Sequence, residues 1–243
     1  MPGLLLVNPN TSAGVSGLLQ QHMRLALGDA AAVHTLTARF GAPYIACEAS
    51  YAVAQHAVLD AWAVAQAQGL APSAVLIGCF GDPGLFALRE GAGIPVGGLA
   101  EAAFAAAARH GRFAVVTGGE RWKPMLRRLA QALDQGERLA GVHTVAPSGA
   151  ELLADPQGAR ALLAQACREA AERFRADAVV LGGAALAGMA ADIAPQVPVP
   201  LVDSVQAGAE WARAAVAQPL AQDAPAGFGV PWHNVSPELA TLG

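Results

Sequence analysis

The sequence predicts an α/β chain of two similar lobes, each a parallel sheet flanked by helices. Three observations carry this. Short apolar runs rich in Val, Leu and Ile alternate with longer stretches of helical spacing. The runs end on small or polar residues and pass at once into Gly, Pro, Asn or Ser turns. The order of the pieces also repeats. Val75-Leu76-Ile77-Gly78-Cys79 is matched by Val179-Val180-Leu181-Gly182-Gly183 about a hundred residues later, as an internal duplication requires.

The first strand is predicted over residues 4–7. Asn8-Pro9-Asn10-Thr11-Ser12 follows as a turn, with Thr11 or Ser12 as the N-cap of a helix over 13–27. Such a junction suits an anionic group, and it equally suits a capped turn without a ligand. A second strand spans 32–37, with His34 as a structural residue. Residues 38–46 form a loop punctuated by Gly41 and Pro43. A long helix over 47–68 is stopped by Gly69 and Pro72. Strand 74–78, a cysteine turn, a helical stretch over 85–90 and a short apolar strand over 94–97 complete the half.

After a helix over 99–110 the cycle restarts. Strand 113–117 ends in Gly118-Gly119, and a helix over 120–133 takes Pro124 in its first turn. A weaker strand over 140–145 and a loop over 147–155, with room for one helical turn, lead to a long helix over 157–175. Strand 177–181 ends in Gly182-Gly183, followed by a short segment over 184–190. Residues 197–202 mirror 94–97, and Asp203 or Ser204 caps a last helix reaching about 217. The expected domains are 1–98 plus 203–218, then 99–202, then a tail over 219–243. Phe228 and Trp232 mark the tail for docking on the body or on a neighbouring subunit, while His233 beside them has no visible partner. Two such lobes would leave a cleft between facing strand ends.

Composition narrows the function. At 243 residues, 54% hydrophobic and 14% charged, the chain can bury a sizeable core. A net charge of −4 and the lack of basic runs exclude a nucleic-acid footprint. No run approaches the roughly 20 apolar residues of a membrane span. Three widely spaced cysteines fit neither a disulfide framework nor a metal site, and the start lacks a basic leader. A cytoplasmic protein with no metal is expected.

The candidate chemistry centres on Gly78-Cys79-Phe80-Gly81-Asp82-Pro83-Gly84. It places a thiol at the carboxyl end of a strand, where open α/β sheets bind ligands. A helix start beside it lowers a thiol's pKa and favours the thiolate. The alternative is a buried, inert cysteine.

Four motifs fall in one order: Val7-Asn8-Pro9-Asn10-Thr11-Ser12, Gly78-Cys79-Phe80-Gly81-Asp82-Pro83-Gly84-Leu85, Ala114-Val115-Val116-Thr117-Gly118, and Val180-Leu181-Gly182-Gly183 with Ala187-Gly188-Met189-Ala190. In these the chain resembles the Asp/Glu/hydantoin racemase superfamily, and within it the hydantoin and allantoin racemases, over roughly residues 3–217. The resemblance implies two lobes about a pseudo-twofold axis, an active site between them and no cofactor. It also implies one thiol per lobe, so that one removes a proton from the substrate carbon while the other delivers one to the opposite face. Cys79 matches the first-lobe thiol. Asn10 and Thr11, with turn amides around Phe80, Gly81, Thr117 and Gly118, match positions that hold carboxylate or imide oxygens. Pro43 and Ile45 match a wall loop, in which Tyr44 supplies a phenol or packs.

The second lobe departs from the pattern. It carries Gly182-Gly183 where Gly-Cys is expected, in a segment about two residues longer than usual. Glycine offers neither acid nor base. Cys167 lies well inside a predicted helix and reads as structural, whereas Cys47, at the end of the wall loop, is the candidate second acid. Asp82 is expected as a turn and N-cap carboxylate, and Glu48 as a helix-start charge. Arg121, beside Glu120, either meets a substrate carboxylate or ends a helix in solvent. The reading is a cofactor-independent isomerase acting on a small carboxylate or cyclic ureide, and a homo-oligomer. Cys79 is its thiolate base, and the second proton comes from water, Tyr44 or Cys47. The alternatives are a single-cysteine decarboxylase of substituted malonates, whose known form keeps the second-lobe cysteine, and a non-catalytic anion-binding protein.

Overall fold

Two four-stranded parallel sheets flanked by helices make up the computed structural model, which describes residues 2–147, 149–218 and 227–243. The chain divides into one unit of Met1–Ile45, Ala49–Gly98 and Ala209–Gly243 and another of Ala46–Glu48 and Leu99–Gly208.

In the first unit β1 (Gly3–Asn8) leads into α1 (Ala13–Leu27), β2 (Ala32–Thr37), α2 (Glu48–Ala67), β3 (Ala74–Ile77), α3 (Leu85–Gly91) and β4 (Val96–Gly98). The sheet order is β2-β1-β3-β4, all parallel. Leu4, Leu5, Leu6 and Val7 of β1 are fully buried, as are Ala74 to Ile77 of β3. These central strands are covered on both faces, which is why they read as unbroken apolar runs.

In the second unit α4 (Leu99–Ala108), β5 (Phe113–Gly118), α5 (Trp122–Ala132), β6 (Leu139–Val145), α6 (Gly149–Ala154), α7 (Pro156–Phe174), β7 (Ala178–Leu181), α8 (Met189–Ile193) and β8 (Leu201–Asp203) repeat the plan. The order is β6-β5-β7-β8, again parallel. The expected α/β class and the repeated element order are both present. The duplication extends to single hydrogen bonds. Gly78 N–H donates to Val7 O at 2.8 Å, and Gly182 N–H donates to Val116 O at 2.9 Å.

Three local expectations shift. The strands expected at 94–97 and 197–202 begin later, at Val96 and Leu201. Proline has no N–H to give, so Pro95 and Pro200 enter only through carbonyls that accept from Val75 and Val179, both at 2.9 Å. The stretch expected mainly as loop over 147–155 holds α6, with residue 148 outside the described residues. The tail, expected without periodicity, carries α10 (Pro237–Ala240) after α9 (Ser204–Ala217), while its residues 219–226 lie outside the described residues. Ser236 caps α10 by accepting from Leu239 N–H at 3.3 Å. The Phe228 ring lies where a side chain at Gly91 would stand, and Phe228 N–H donates to Leu242 O at 2.7 Å, so this segment docks on its own first unit. Among the described residues no helix is long and apolar enough to cross a membrane.

Candidate active site

In the first sheet the chain runs from β1 out to β2 on one side and from β3 out to β4 on the other. The carboxyl ends of β1 and β3, paired at Val7 and Ile77, therefore flank the switch point where ligands bind in open α/β sheets. The Asn10–Thr11 turn and Cys79 are both set at this point.

The turn after β1 is built by Asn8. Its side chain is fully buried, and its Nδ2 lies 3.0 Å from Asn10 Oδ1, 3.0 Å from Ser12 O and 2.9 Å from Ser16 Oγ. Asn10 Oδ1 also accepts from Ser12 N–H at 2.9 Å. With its oxygen so engaged, the Asn10 amide has only N–H donors left to offer a ligand. Ser12 is the N-cap of α1, accepting from Val15 N–H at 3.3 Å. Thr11 N–H donates to Ala42 O at 3.1 Å, tying this turn to the loop that carries Pro43, Tyr44 and Ile45. Ile45 is buried, Tyr44 half-buried and Pro43 exposed.

The turn after β3 is held from several sides. Asp82 adopts φ 51°, a left-handed conformation that Asp tolerates, and its N–H donates to Cys79 O at 3.1 Å. Asp82 was expected to cap the following helix; instead Gly84 is the N-cap of α3, with no side-chain cap, and Asp82 turns elsewhere. Asp82 is 1% exposed, and its carboxylate lies against Gly98, where an added Cβ would stand 2.1 Å from Asp82 Cγ. The Tyr51 hydroxyl, from α2, donates to Gly81 O at 2.7 Å. Cys79 and Phe80 are buried between these supports, Cys79 at 7% exposure.

This burial reverses the expected electrostatics. A helix start was to stabilise the thiolate, but α3 is short and the thiol is out of water. Desolvation first, and the nearby Asp82 charge second, push the Cys79 thiol above its ordinary range. Cys79 is thus a protonated thiol at neutral pH.

The second unit has the same switch point between β5 and β7. Thr117 and Gly118 end β5 and are buried. At the end of β7, Gly183 sits at φ 150° and ψ 128°, a conformation reserved for glycine. Gly183 N–H donates to the buried Ser204 Oγ at 3.2 Å, and its carbonyl accepts from Leu186 N–H at 2.9 Å. This closes a 3-10 turn over Ala184–Leu186 and brings Leu186 to 3.2 Å from where a side chain at 183 would begin. Leu186 itself belongs to the core.

The remaining candidates separate. Cys167 is fully buried on α7 in the core of the second unit, its thiol pushed up to about 12 by burial. Cys47 is half-buried just before α2, in the second unit, and no disulfide involves it. Glu48 opens the first turn of α2 as expected, and it is also held by Arg128 at 2.8 and 2.9 Å, which keeps its carboxyl below the usual range. Glu120 accepts from Thr144 Oγ1, and Arg121 is exposed at the start of α5. Among the described residues no three His, Cys, Asp or Glu side chains group to hold a metal ion. A hollow of about 230 Å³ in the first unit, lined by Trp62, Gln66, Ala92, Ile94 and Leu242 among others, includes none of the predicted site residues.

Residues 4–212 match the family described as Asp/Glu/Hydantoin racemase. The chain belongs to that family. It is 28% identical over 212 residues to a hydantoin racemase of Pseudomonas sp. (strain NS671), covering 87% of this chain and 84% of the relative. Its fold matches allantoin racemase from Klebsiella pneumoniae with a TM-score of 0.83 and 29% identity, over 92% of this chain and 91% of that one. Arylmalonate decarboxylase shares the fold, with a TM-score of 0.60 and 19% identity over 89% of this chain and 93% of that one.

Sequence reasoning missed the roles of three residues of this site. Asn8 stood in the Val7–Ser12 motif and at the head of the predicted turn, but no role was read for it. Tyr51 and Gly98 gave no local signal, because the groups they serve lie 30 and 16 residues away in sequence.

Proposed function

We propose that this chain is a cofactor-independent racemase of carbon acids, acting at a carbon beside a carbonyl of a hydantoin-like cyclic ureide or small carboxylate, with Cys79 as its acid–base group. The observation that supports it is the Cys79 thiol at the switch point of the first sheet, next to a turn whose Asn10 side chain has only donors to offer. Such donors suit the oxygen on which charge develops as the proton leaves.

The Cys79 thiol first gives its proton to water; the thiolate then takes the proton from the carbon and becomes the thiol again, and the C–H electron pair moves into the adjacent carbonyl. The enolate is then reprotonated, from the same face by Cys79 or from the other face by a different donor. Glycine at 183 supplies none, so the opposite-face proton comes from water, the Tyr44 phenol or the Cys47 thiol. Keeping Cys79 protonated at rest makes it a ready donor; the cost falls on the abstraction step, which needs the thiolate.

The test is a single enantiomer of a 5-substituted hydantoin, and separately of allantoin, incubated with the protein in deuterated water. Deuterium at the stereocentre with loss of optical rotation is expected. A protein that exchanges neither, and instead releases carbon dioxide from a substituted malonate, overturns the racemase reading in favour of a decarboxylase.

A further inference from the structure

The first unit contains a charged cluster that the proposed chemistry does not use. Asp60, on α2, has a side chain only 2% exposed. Arg39 meets it with both edges of one fork, Nε at 2.9 Å and Nη2 at 2.7 Å. The same guanidinium reaches the tail, placing Nη1 and Nη2 each 3.1 Å from the Glu238 carboxylate on α10. Ser236, the cap of α10, also hydrogen-bonds Asp60. A buried carboxylate needs such compensation, and a planar guanidinium bound along two edges has little freedom left.

The position of Arg39 in the chain gives this cluster its reach. One residue earlier, Ala38 N–H donates to Asn8 O at 2.9 Å. Three residues later, Ala42 O accepts from Thr11 N–H at 3.1 Å. Arg39 therefore lies inside a short span pinned at both ends to the Asn8–Thr11 turn. Phe40, next in line, packs edge-on against His56 of α2 with ring centroids 5.0 Å apart.

We propose that Arg39 is a positioning residue, and that α10 of the tail, through Glu238, sets the placement of the Asn10–Thr11 turn. The consequence for substrate binding rests on the function proposed above; the mechanical linkage does not. Glu238 is distant in sequence from that turn and its partner Arg39 keeps Asp60 when Glu238 is removed, so the substitution loosens the span without leaving the buried carboxylate unpaired.

The experiment compares full-length wild type with Glu238→Ala and Glu238→Gln. Hydrogen exchange is followed by mass spectrometry on peptides covering residues 8–16, 38–46 and 227–243. Exchange at 8–16 is expected to quicken by about threefold or more in Glu238→Ala and less in Glu238→Gln, with helices of the second unit unchanged. On a hydantoin substrate, KM is expected to rise several-fold while kcat stays within about twofold, the signature of altered ground-state placement. Faster exchange confined to 227–243 would overturn the proposal, since the tail would then loosen without moving the turn. Uniformly faster exchange would also overturn it, by reducing Glu238 to general stability. A wild type inactive on hydantoins defeats the proposed function alone, because the exchange at 8–16 still decides the linkage.

Discussion

The ends of β3 and β7 are built alike up to one residue and differently after it. Both strands deliver a glycine N–H, Gly78 or Gly182, to a valine carbonyl of the neighbouring strand. The first then presents Cys79 in a turn braced by Asp82 and Tyr51. The second presents Gly183 in a glycine-only conformation with Leu186 packed against it. The difference is one of backbone as well as side chain. Beyond the matching glycines the second unit turns tightly, at φ 150°, where an added Cβ would stand 3.2 Å from Leu186 Cγ.

The largest effect should follow removal of the Cys79 thiol. Cys79→Ala is expected to cut deuterium exchange into a hydantoin by about a thousandfold or more, as loss of an acid–base group does. Exchange retained at near wild-type rate would break the contrast between the two strand ends.

The next test is pH. The folded thiol ionises above its ordinary range, so thiolate is scarce at pH 7 and grows as pH rises. Alkylation of Cys79 by iodoacetamide, in a Cys47→Ser background, should climb about tenfold per pH unit past the usual cysteine value of about 8.5 without levelling. A plateau below pH 8 would show a thiolate already stabilised in the free protein. Stability follows the same sign. Both buried thiols have folded values above unfolded ones, so their contribution is complete below about pH 8.5 and declines as pH rises.

A smaller effect is expected from placing a thiol at the matching position of the second unit. Gly183→Cys forces a side chain into a glycine conformation against Leu186, and should destabilise the fold by about 1–3 kcal/mol without raising racemisation. Thermal unfolding and optical rotation read both. A stable, faster enzyme would show that the turn rearranges readily and that the second strand end differs only in its side chain.

Tyr51→Phe should have the least effect. Losing the hydroxyl from Gly81 O removes about 1 kcal/mol and slows exchange a few-fold, with the Cys79 turn otherwise intact. A loss as deep as that of Cys79→Ala would give Tyr51 a direct chemical role.

Much of this was legible in the chain. The strand at 32–37 and the helix at 13–27 have the bounds that periodicity assigned them, since each buries one regular face or run. The Cys79 turn was visible because a thiol, two glycines and a proline followed an apolar run. The role of Asp82 was misread because the nearest helix start was its obvious partner, whereas the group it packs against, Gly98, is brought in by β4. Glu48 does stand in the first turn of α2 as expected, and only its further pairing with Arg128, 80 residues on, was out of reach of the local pattern.

By itself, then, the sequence determined the α/β class, the repeated succession of strands and helices along the chain and the placing of Cys79 and Asn10 at strand ends, because hydrophobic period and turn chemistry are local properties. Only the tertiary structure decided that the Cys79 thiol is pushed above its ordinary range, that a side chain at 183 would meet Leu186 in a glycine conformation, and that Arg39 joins Asp60 to Glu238. Those outcomes depend on desolvation, close approach and charge pairing between segments far apart in the chain, which no local pattern records.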